Sequence, residues 1–421
     1  MLNKLKPKSE FSRNVLTLMT GTTIAQAIPI AISPILTRIY TPEDFGFLAI
    51  YLFVITFLAN IATGKYEMSI YLPNQNGVAK EMLEVSLLLA TIFSVILLII
   101  VVLFGNIIIE QFNFQHNILW LYILPFAVLI TAFYQSMNHL YVRMSKFKIL
   151  SINRIIHSST NAIISVVLGL QSLLLHGLVV AQIISQFVVA ILLFKNHKFS
   201  SINKYRLIRY ILLMKRYINF PKHMLISNMT NNLSANMPII ILTSNFGLAF
   251  SGFYSFVQKV FGIPLNVIGN SFSEVFRQKA SNDYIQNGNC IDAFSSVFKK
   301  LFLISFIPFF IFYFVAVDLF SFVFGENWRV AGEYAQILTP MFFIKFITMP
   351  ISSVALFANK TIVDFWWQLG FLAVAVVGYL ISSDAKSTII YFSFGFSLMY
   401  LISFYINYRY ARYGSKTFDR K

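Results

Sequence analysis

The sequence predicts an all-α integral membrane protein with about twelve transmembrane helices arranged in two six-helix lobes. Three observations carry that expectation. Of 421 residues, 57% are hydrophobic and only 12% are charged, with a mean hydropathy of +0.70, whereas soluble domains carry roughly 25% charged residues. Apolar runs of about 20 residues, the length of a bilayer crossing, recur from one end of the chain to the other. The 33 Lys and Arg residues fall almost entirely in alternate gaps between those runs.

Composition also sets exclusions. The 45 Phe and 21 Tyr residues suit lipid-facing and interfacial positions. The net charge of +17 is interpreted by location, so a nucleic-acid partner is not expected. Cys290 is the only cysteine, which excludes an intramolecular disulfide and a thiolate metal site. The basic N-terminus, MLNKLKPKSEFSR, resembles the start of a signal peptide. The segment after it is too long, contains Gln26, Pro29 and Pro34, and lacks a small-residue cleavage site, so a retained first helix is expected.

The expected spans are residues 14–36, 46–64, 82–105, 118–138, 152–171, 174–194, 224–246, 248–272, 299–324, 335–358, 361–382 and 387–408. With the N-terminus inside, the inner segments collect 28 basic residues and the outer loops only Arg38, Arg329 and Lys386. Adding or removing one span in the first half destroys this asymmetry, so both termini are expected in the cytoplasm. The lobes are then 1–195 and 224–421, joined by a basic cytoplasmic linker, 196–223. Within the linker, KYRLIRYILLMKRYINF has the spacing of an interfacial amphipathic helix able to meet anionic headgroups. A basic linker that simply obeys the sidedness rule is the plainer alternative.

The lobes look like repeats. TTIAQAIPI (Thr22 to Ile30) matches NNLSANMPI (Asn231 to Ile239), and DFGFLAIY (Asp44 to Tyr51) matches FSGFYSFV (Phe250 to Val257). Six spans per half make this a parallel repeat about a pseudo-two-fold axis along the membrane normal.

The seventh span is the polar one. Asn228, Asn231, Asn232 and Asn236, with Ser227, Thr230 and Ser234, cover more than half of its circumference. An unpartnered polar group in hydrocarbon costs several kcal/mol, so this helix must line a hydrated cavity. Thr22, Thr23 and Gln26 occupy the matching stretch of the first span.

Charged residues inside spans are functional candidates, because a cation at the bilayer centre costs about 3 kcal/mol or more. Lys259 lies about 11 residues from either end of its span and Lys345 about ten residues into the tenth. Arg38, Asp318 and the Lys65/Glu67 pair sit nearer span ends. The plainer alternatives are a Lys–Asp pair bracing two helices and, for Arg38 and Lys65/Glu67, interfacial anchoring. Asp318 and Glu67 are the candidates for ion coupling.

No catalytic residue is expected. The outer loops are short, no phosphate-binding Gly-rich loop is present, and His116, His139, His157, His176, His197 and His223 show no metal-ligand spacing. Prolines 29, 125, 238, 264, 308, 340 and 350 within spans permit helix bends.

Three blocks, LTRIYTPEDFG (Leu36 to Gly46), KYEMSIYLP (Lys65 to Pro73) and FGENWRVAGEYAQIL (Phe324 to Leu338), resemble the polysaccharide-biosynthesis flippases of the Wzx/PST group. So does the run from Pro238 through GFYSF (Gly252 to Phe256) to PLNVIG (Pro264 to Gly269). That group belongs to the superfamily of the MATE exporters. The resemblance implies a MATE-like fold in the bacterial inner (cytoplasmic) membrane and alternating access without a cofactor. It implies a substrate too, an undecaprenyl-pyrophosphate-linked oligosaccharide of the O-antigen (lipopolysaccharide) or capsule type, and other polysaccharide assembly proteins as partners. Coupling to protons, sodium or membrane potential stays open. A MATE-type multidrug or cation antiporter is the alternative; it calls for lumenal carboxylates, where only Asp318 offers itself against two lysines.

Overall fold

The computed structural model describes residues 10–112, 118–171, 177–195, 204–357, 362–381 and 383–413. The basic N-terminal residues 1–9, the first part of the linker (196–203) and the basic tail (414–421) lie outside the described residues.

Each apolar run becomes a helix. In chain order these are α1 (Glu10–Ile39), α2 (Pro42–Thr63), α3 (Asn76–Phe112), α4 (Ile118–Arg143), α5 (Phe147–Leu170), α6 (Gly177–Lys195), α7 (Lys204–Arg216), α8 (Ile226–Phe246), α9 (Leu248–Asn287), α10 (Ile291–Phe324), α11 (Arg329–Thr348), the single turn α12 (Val354–Phe357), α13 (Ile362–Ile381) and α14 (Ala385–Tyr413). Leaving out α7 and α12, each expected span has its helix. Eight of the described helices are long and apolar enough to cross a bilayer on length and composition. Those falling short include α5, α8 and α9, which carry polar residues inward of their ends.

The tenth span differs from expectation. It was expected over 335–358, but α11 runs from Arg329 to Thr348 and gives way to a 3-10 turn at Met349–Ile351. Pro350 is the cause: it has no amide to donate to the carbonyl four residues back, so the helical ladder stops there, although Met349 before it keeps helical backbone at φ −58, ψ −43. Lys345 therefore lies in the last turn of its helix instead of the middle, where the exposed carbonyl ends favour a cation. Helix α9 continues well past its expected end at residue 272, through the polar QKASNDYIQN, until Gly288 adopts φ +70 as its C-cap.

The chain forms two compact units, Met1–Ile32 with Tyr51–Met229, and Ser33–Ile50 with Thr230–Lys421. In the first unit, α3 packs on α4, α5 on α6 and α4 on α6. Met82, Leu83, Met137, Leu140, Leu150 and Leu193 fill the core. A 3-10 turn, Tyr66–Tyr71, is held beneath α4 by Arg143, which donates to the carbonyls of Ile70 (2.8 Å) and Pro73. The amphipathic helix expected in the linker is α7. Its basic face is tied down on α3: Arg209 pairs with Glu81 at 2.8 Å, Arg206 with Glu84 at 3.3 Å, and the Tyr210 hydroxyl donates to Glu84 at 2.5 Å. Ile208, Ile211 and Leu212 stay exposed on the other face.

In the second unit the starts of α2 and α9 meet backbone to backbone. A Cβ on Gly252 would lie 1.8 Å from the Pro42 carbonyl oxygen, and one on Gly46 would lie 1.9 Å from that of Leu248. These are the two glycines aligned in the sequence repeat. In lipid, where apolar burial does not drive helices together, such close approach supplies packing that larger residues prevent. Beside them Trp328 is fully buried, 4.6 Å from the Phe256 ring and 4.9 Å from the Phe45 ring, and its Nε1 donates to the Thr37 carbonyl at 2.9 Å.

Candidate functional site

In the first unit, the polar residues expected on α1 meet a second set on α5. Thr22 donates to the Leu18 carbonyl at 2.6 Å, which spares it an unpaired hydroxyl, and accepts a hydrogen bond from Arg154. Thr23 is exposed and bonds back to the Met19 carbonyl at 3.0 Å. The Oε1 of Gln26 is buried and, among the described residues, has no hydrogen-bond partner. A buried acceptor left open in this way calls for water or a ligand hydroxyl.

Arg154 is not among the residues expected at the site. In the structure it begins a stripe of Arg154, His157, Asn161 and Ser165, spaced three and four residues apart along one face of α5. His157 meets the Ser185 hydroxyl at 3.3 Å, and Asn161 donates to Gln182 of α6 at 3.0 Å. The spacing is visible in the sequence, but the run as a whole is apolar enough to read as an ordinary span.

Helix α8 divides as its composition demands. Its second half buries Pro238, Ile239, Ile241 and Leu242, whereas in the polar first half only Ser234 is buried. Ser234 reaches the Gln368 carbonyl of α13 at 3.2 Å. The amides mostly bond within the helix: Asn228 to the Met224 carbonyl at 2.8 Å, and Asn236 to the Asn232 carbonyl at 2.9 Å and its side chain at 3.1 Å. Asn231 is exposed. Each of these amides has more hydrogen-bonding capacity than it uses, and the surplus is available to water or sugar hydroxyls.

Neither Lys259 nor Lys345 has an ion-pair partner among the described residues. Lys259 is half-buried on α9, beside Gln258, whose amide donates to the fully buried Tyr254 hydroxyl at 2.6 Å. The Lys345 ammonium lies 6.0 Å from the centroids of both Phe342 and Tyr400, a cation–π arrangement. It also lines a cavity of about 110 Å³ together with Arg277, Asn270, Ser273 and Ser352. Arg277 was missed as a site residue because it lies past the expected end of its span.

The other expected residues are placed apart from these. Arg38 is exposed at the end of α1, and its guanidinium bonds the Pro34 carbonyl at 2.8 Å, as a cation closing a helix does. Asp318 lies 4.0 Å from Arg329, with 85% of its side chain exposed, and is not brought to either lysine. Glu67 is fully buried and pairs with Lys65 at 3.4 Å. Lys65 itself takes left-handed backbone at φ 60, and the turn they begin carries Tyr71, whose hydroxyl meets His139 Nδ1 at 3.0 Å.

A family model described as "Polysaccharide biosynthesis protein" matches residues 35–333, which include the blocks at 36–46, 65–73 and 238–269 and the first ten residues of the one at 324–338. The chain belongs to this family. Among curated relatives of this chain is the teichuronic acid biosynthesis protein TuaB of Bacillus subtilis (strain 168). It is 29% identical over 161 residues, 38% of this chain and 33% of TuaB, so the match spans about a third of that relative. Among solved structures, the lipid II flippase MurJ in an inward closed conformation superposes with a TM-score of 0.70 at 12% identity, covering 94% of this chain and 87% of MurJ. An inward-facing multidrug resistance MATE transporter gives 0.68 at 12% identity, covering 96% of each chain. A superfamily member from Pyrococcus furiosus, whose binding pocket is described as reversed in polarity, gives 0.62 at 12% identity over 94% of each. The chain is thus a multi-pass membrane protein, helical throughout the described residues, with the MATE-like fold expected from its sequence.

Proposed function

We propose that this protein flips undecaprenyl-pyrophosphate-linked oligosaccharide repeat units from the inner to the outer leaflet of a bacterial cytoplasmic membrane, by alternating access and with both termini in the cytoplasm. One observation carries the substrate class: Lys259 of α9 and Lys345 of α11 have no carboxylate partner among the described residues, and the Lys345 ammonium lies over two aromatic rings. A positive, amide-rich interior suits a pyrophosphate followed by hydroxyl-rich sugars. It does not suit a cationic drug, which disfavours the antiporter alternative. The polar halves of α1 and α8 supply hydrogen bonds that replace the water a sugar loses, since a hydroxyl entering hydrocarbon unpaired costs about 2–7 kcal/mol. Membership in a polysaccharide biosynthesis family supports a glycan cargo, which we take to be of the O-antigen or capsule type, with polysaccharide assembly proteins as its source and destination.

The test is lipid analysis of a clean deletion strain. Lipid-linked repeat units should accumulate on the cytoplasmic leaflet, protected from a membrane-impermeant glycan-modifying enzyme. Normal surface polysaccharide with no trapped intermediate would overturn the proposal.

A further inference from the structure

In the first unit, α3 and α6 both pack on α4, and an apolar groove of about 770 Å³ lies among the three helices. At one end the rings of Phe126 and Phe187 stand 5.8 Å apart, and at the other those of Phe133 and Phe194 stand 6.4 Å apart. Phe126, Phe187 and Phe194 are exposed, so the groove is open along its length. All three helices are long and apolar enough to cross a bilayer, and the groove therefore opens on hydrocarbon.

Only one end is polar. Glu84 of α3, Tyr210 of α7 and Lys195, the last residue of α6, close it there. The charge of Glu84 is already met, by Arg206 at 3.3 Å and by the Tyr210 hydroxyl. The exposed Lys195 has no ion-pair partner among the described residues. The lined stretch, Glu84 to Thr91 on α3 and Phe187 to Lys195 on α6, is about 11–12 Å of helix rise. That is less than half of the roughly 30 Å of hydrocarbon, so the groove spans a single leaflet. A spanning helix from a second copy would leave most of its length uncovered there, whereas an acyl chain of one leaflet matches it end to end.

We propose that this groove is a site for one anionic phospholipid, held with its acyl chain among α3, α4 and α6 and its phosphate on Lys195. At roughly 30 Å³ per methylene-sized group, the groove takes about 25 groups, one long acyl chain and part of a second. Charge selects the lipid. A zwitterionic headgroup answers its own phosphate, and a polyprenyl diphosphate brings two charges to one unpaired ammonium, whereas a phosphatidylglycerol brings one. The leaflet is the cytoplasmic one, which rests on the topology proposed above. The lipid lies against Tyr210, so it fastens α7 to the membrane as Glu81 and Glu84 fasten it to α3.

The test uses the full chain in phosphatidylcholine nanodiscs carrying a trace of phosphatidylglycerol with a photoactivatable diazirine on one acyl chain. Cross-links located by mass spectrometry should fall on residues 87–91, 126–133 and 187–194 at least about fivefold more often than on the exposed face of α10 between residues 302 and 314, the mark of a gain of about 1 kcal/mol over ordinary surface. A diazirine phosphatidylcholine should label the groove at least about fivefold less. Lys195→Glu should bring phosphatidylglycerol down to the phosphatidylcholine level. Ile191→Trp, at a wall position 38% exposed, should abolish the groove cross-links, and Thr91→Trp, also exposed, serves as the second plug if the first variant fails to fold. Equal labelling by the two lipids, labelling spread evenly over the groove and α10, indifference to a folded plug variant, or stronger competition by undecaprenyl diphosphate than by unlabelled phosphatidylglycerol would each overturn the site. The labelling is read without reference to leaflet, so a reversed topology would leave the site standing in the other leaflet. If the groove selects phosphatidylglycerol but the deletion strain exports glycan normally, the site stands and the transport proposal falls. If the strain traps lipid-linked glycan and the groove shows no selection, the reverse holds.

Discussion

Lys345 faces the Tyr400 ring with its ammonium 6.0 Å from the centroid, and no described carboxylate lies within ion-pair distance. A cation kept over a ring is attracted but not neutralised, so its charge remains available to an anion. Lys345→Gln should therefore lower glycan export about tenfold or more, the equivalent of losing one charge-assisted hydrogen bond. Lys345→Arg should keep much of the activity. The measurement is surface polysaccharide at matched expression, with Lys215→Gln, on the amphipathic helix, as the unaffected comparison.

Gly252→Ala and Gly46→Ala should each destabilise the second unit, because the new methyl meets a backbone carbonyl at 1.8 or 1.9 Å and neither helix can yield locally. Gly262→Ala, with nothing within 4 Å of the added carbon, should leave stability unchanged or raise it by about 0.5–1 kcal/mol, the usual gain of Ala over Gly inside a helix. Thermal unfolding of the three variants in detergent separates the two outcomes.

Trp328→Ala should cost about 3–5 kcal/mol, the range for emptying a buried aromatic position. Trp328→Phe should cost less, mainly the lost hydrogen bond that leaves the Thr37 carbonyl unpaired, about 1–3 kcal/mol. Monodisperse yield and unfolding temperature give the order wild type, Phe, Ala.

The Tyr210 hydroxyl is pushed up from its ordinary value of 10 to about 12, first by burial and then by its hydrogen bond to Glu84 and that residue's charge. The folded state holds this proton more tightly than the unfolded one. The stabilisation is complete below pH 10 and is lost as pH rises towards about 12. Tyr210→Phe should be less stable at neutral pH but lose less of its stability over that interval, as read by unfolding temperature against pH.

Burial, reinforced by the charge of Asp283, pushes the Cys290 thiol up to about 12. Maleimide at neutral pH should leave Cys290 unlabelled in the folded protein and label it after denaturation in SDS. Labelling at the rate of a free thiol in the folded state would contradict its burial.

Helical class, the multi-pass character and the polar first half of α8 are legible because each depends on runs of side chains that a bilayer sorts strongly. What the sequence concealed depends on backbone or on distance along the chain. Pro350 ends α11 within what hydropathy alone reads as one continuous span, and that moved Lys345 to a helix end. Arg277 fell outside the expected boundary of α9, because a helix does not stop where it leaves the hydrocarbon. Arg154 and His157 lay on a visible period, but α5 is apolar enough elsewhere to hide them in an average. The docking of α7 on Glu81 and Glu84 pairs residues more than a hundred positions apart, which no local pattern encodes.

The hydrogen bond from Trp328 to the Thr37 carbonyl joins residues 291 positions apart. At about 5–20 residues per second, the ribosome finishes Trp328 on the order of 15–60 s after Thr37. Residues 33–50 must therefore enter the bilayer and wait there, with the small faces of Gly46 and its neighbours uncovered, until α9 and Trp328 are made. During that interval the nascent chain holds an unfilled docking surface, so its biogenesis depends on whatever shields that surface as much as on the stability of the finished fold.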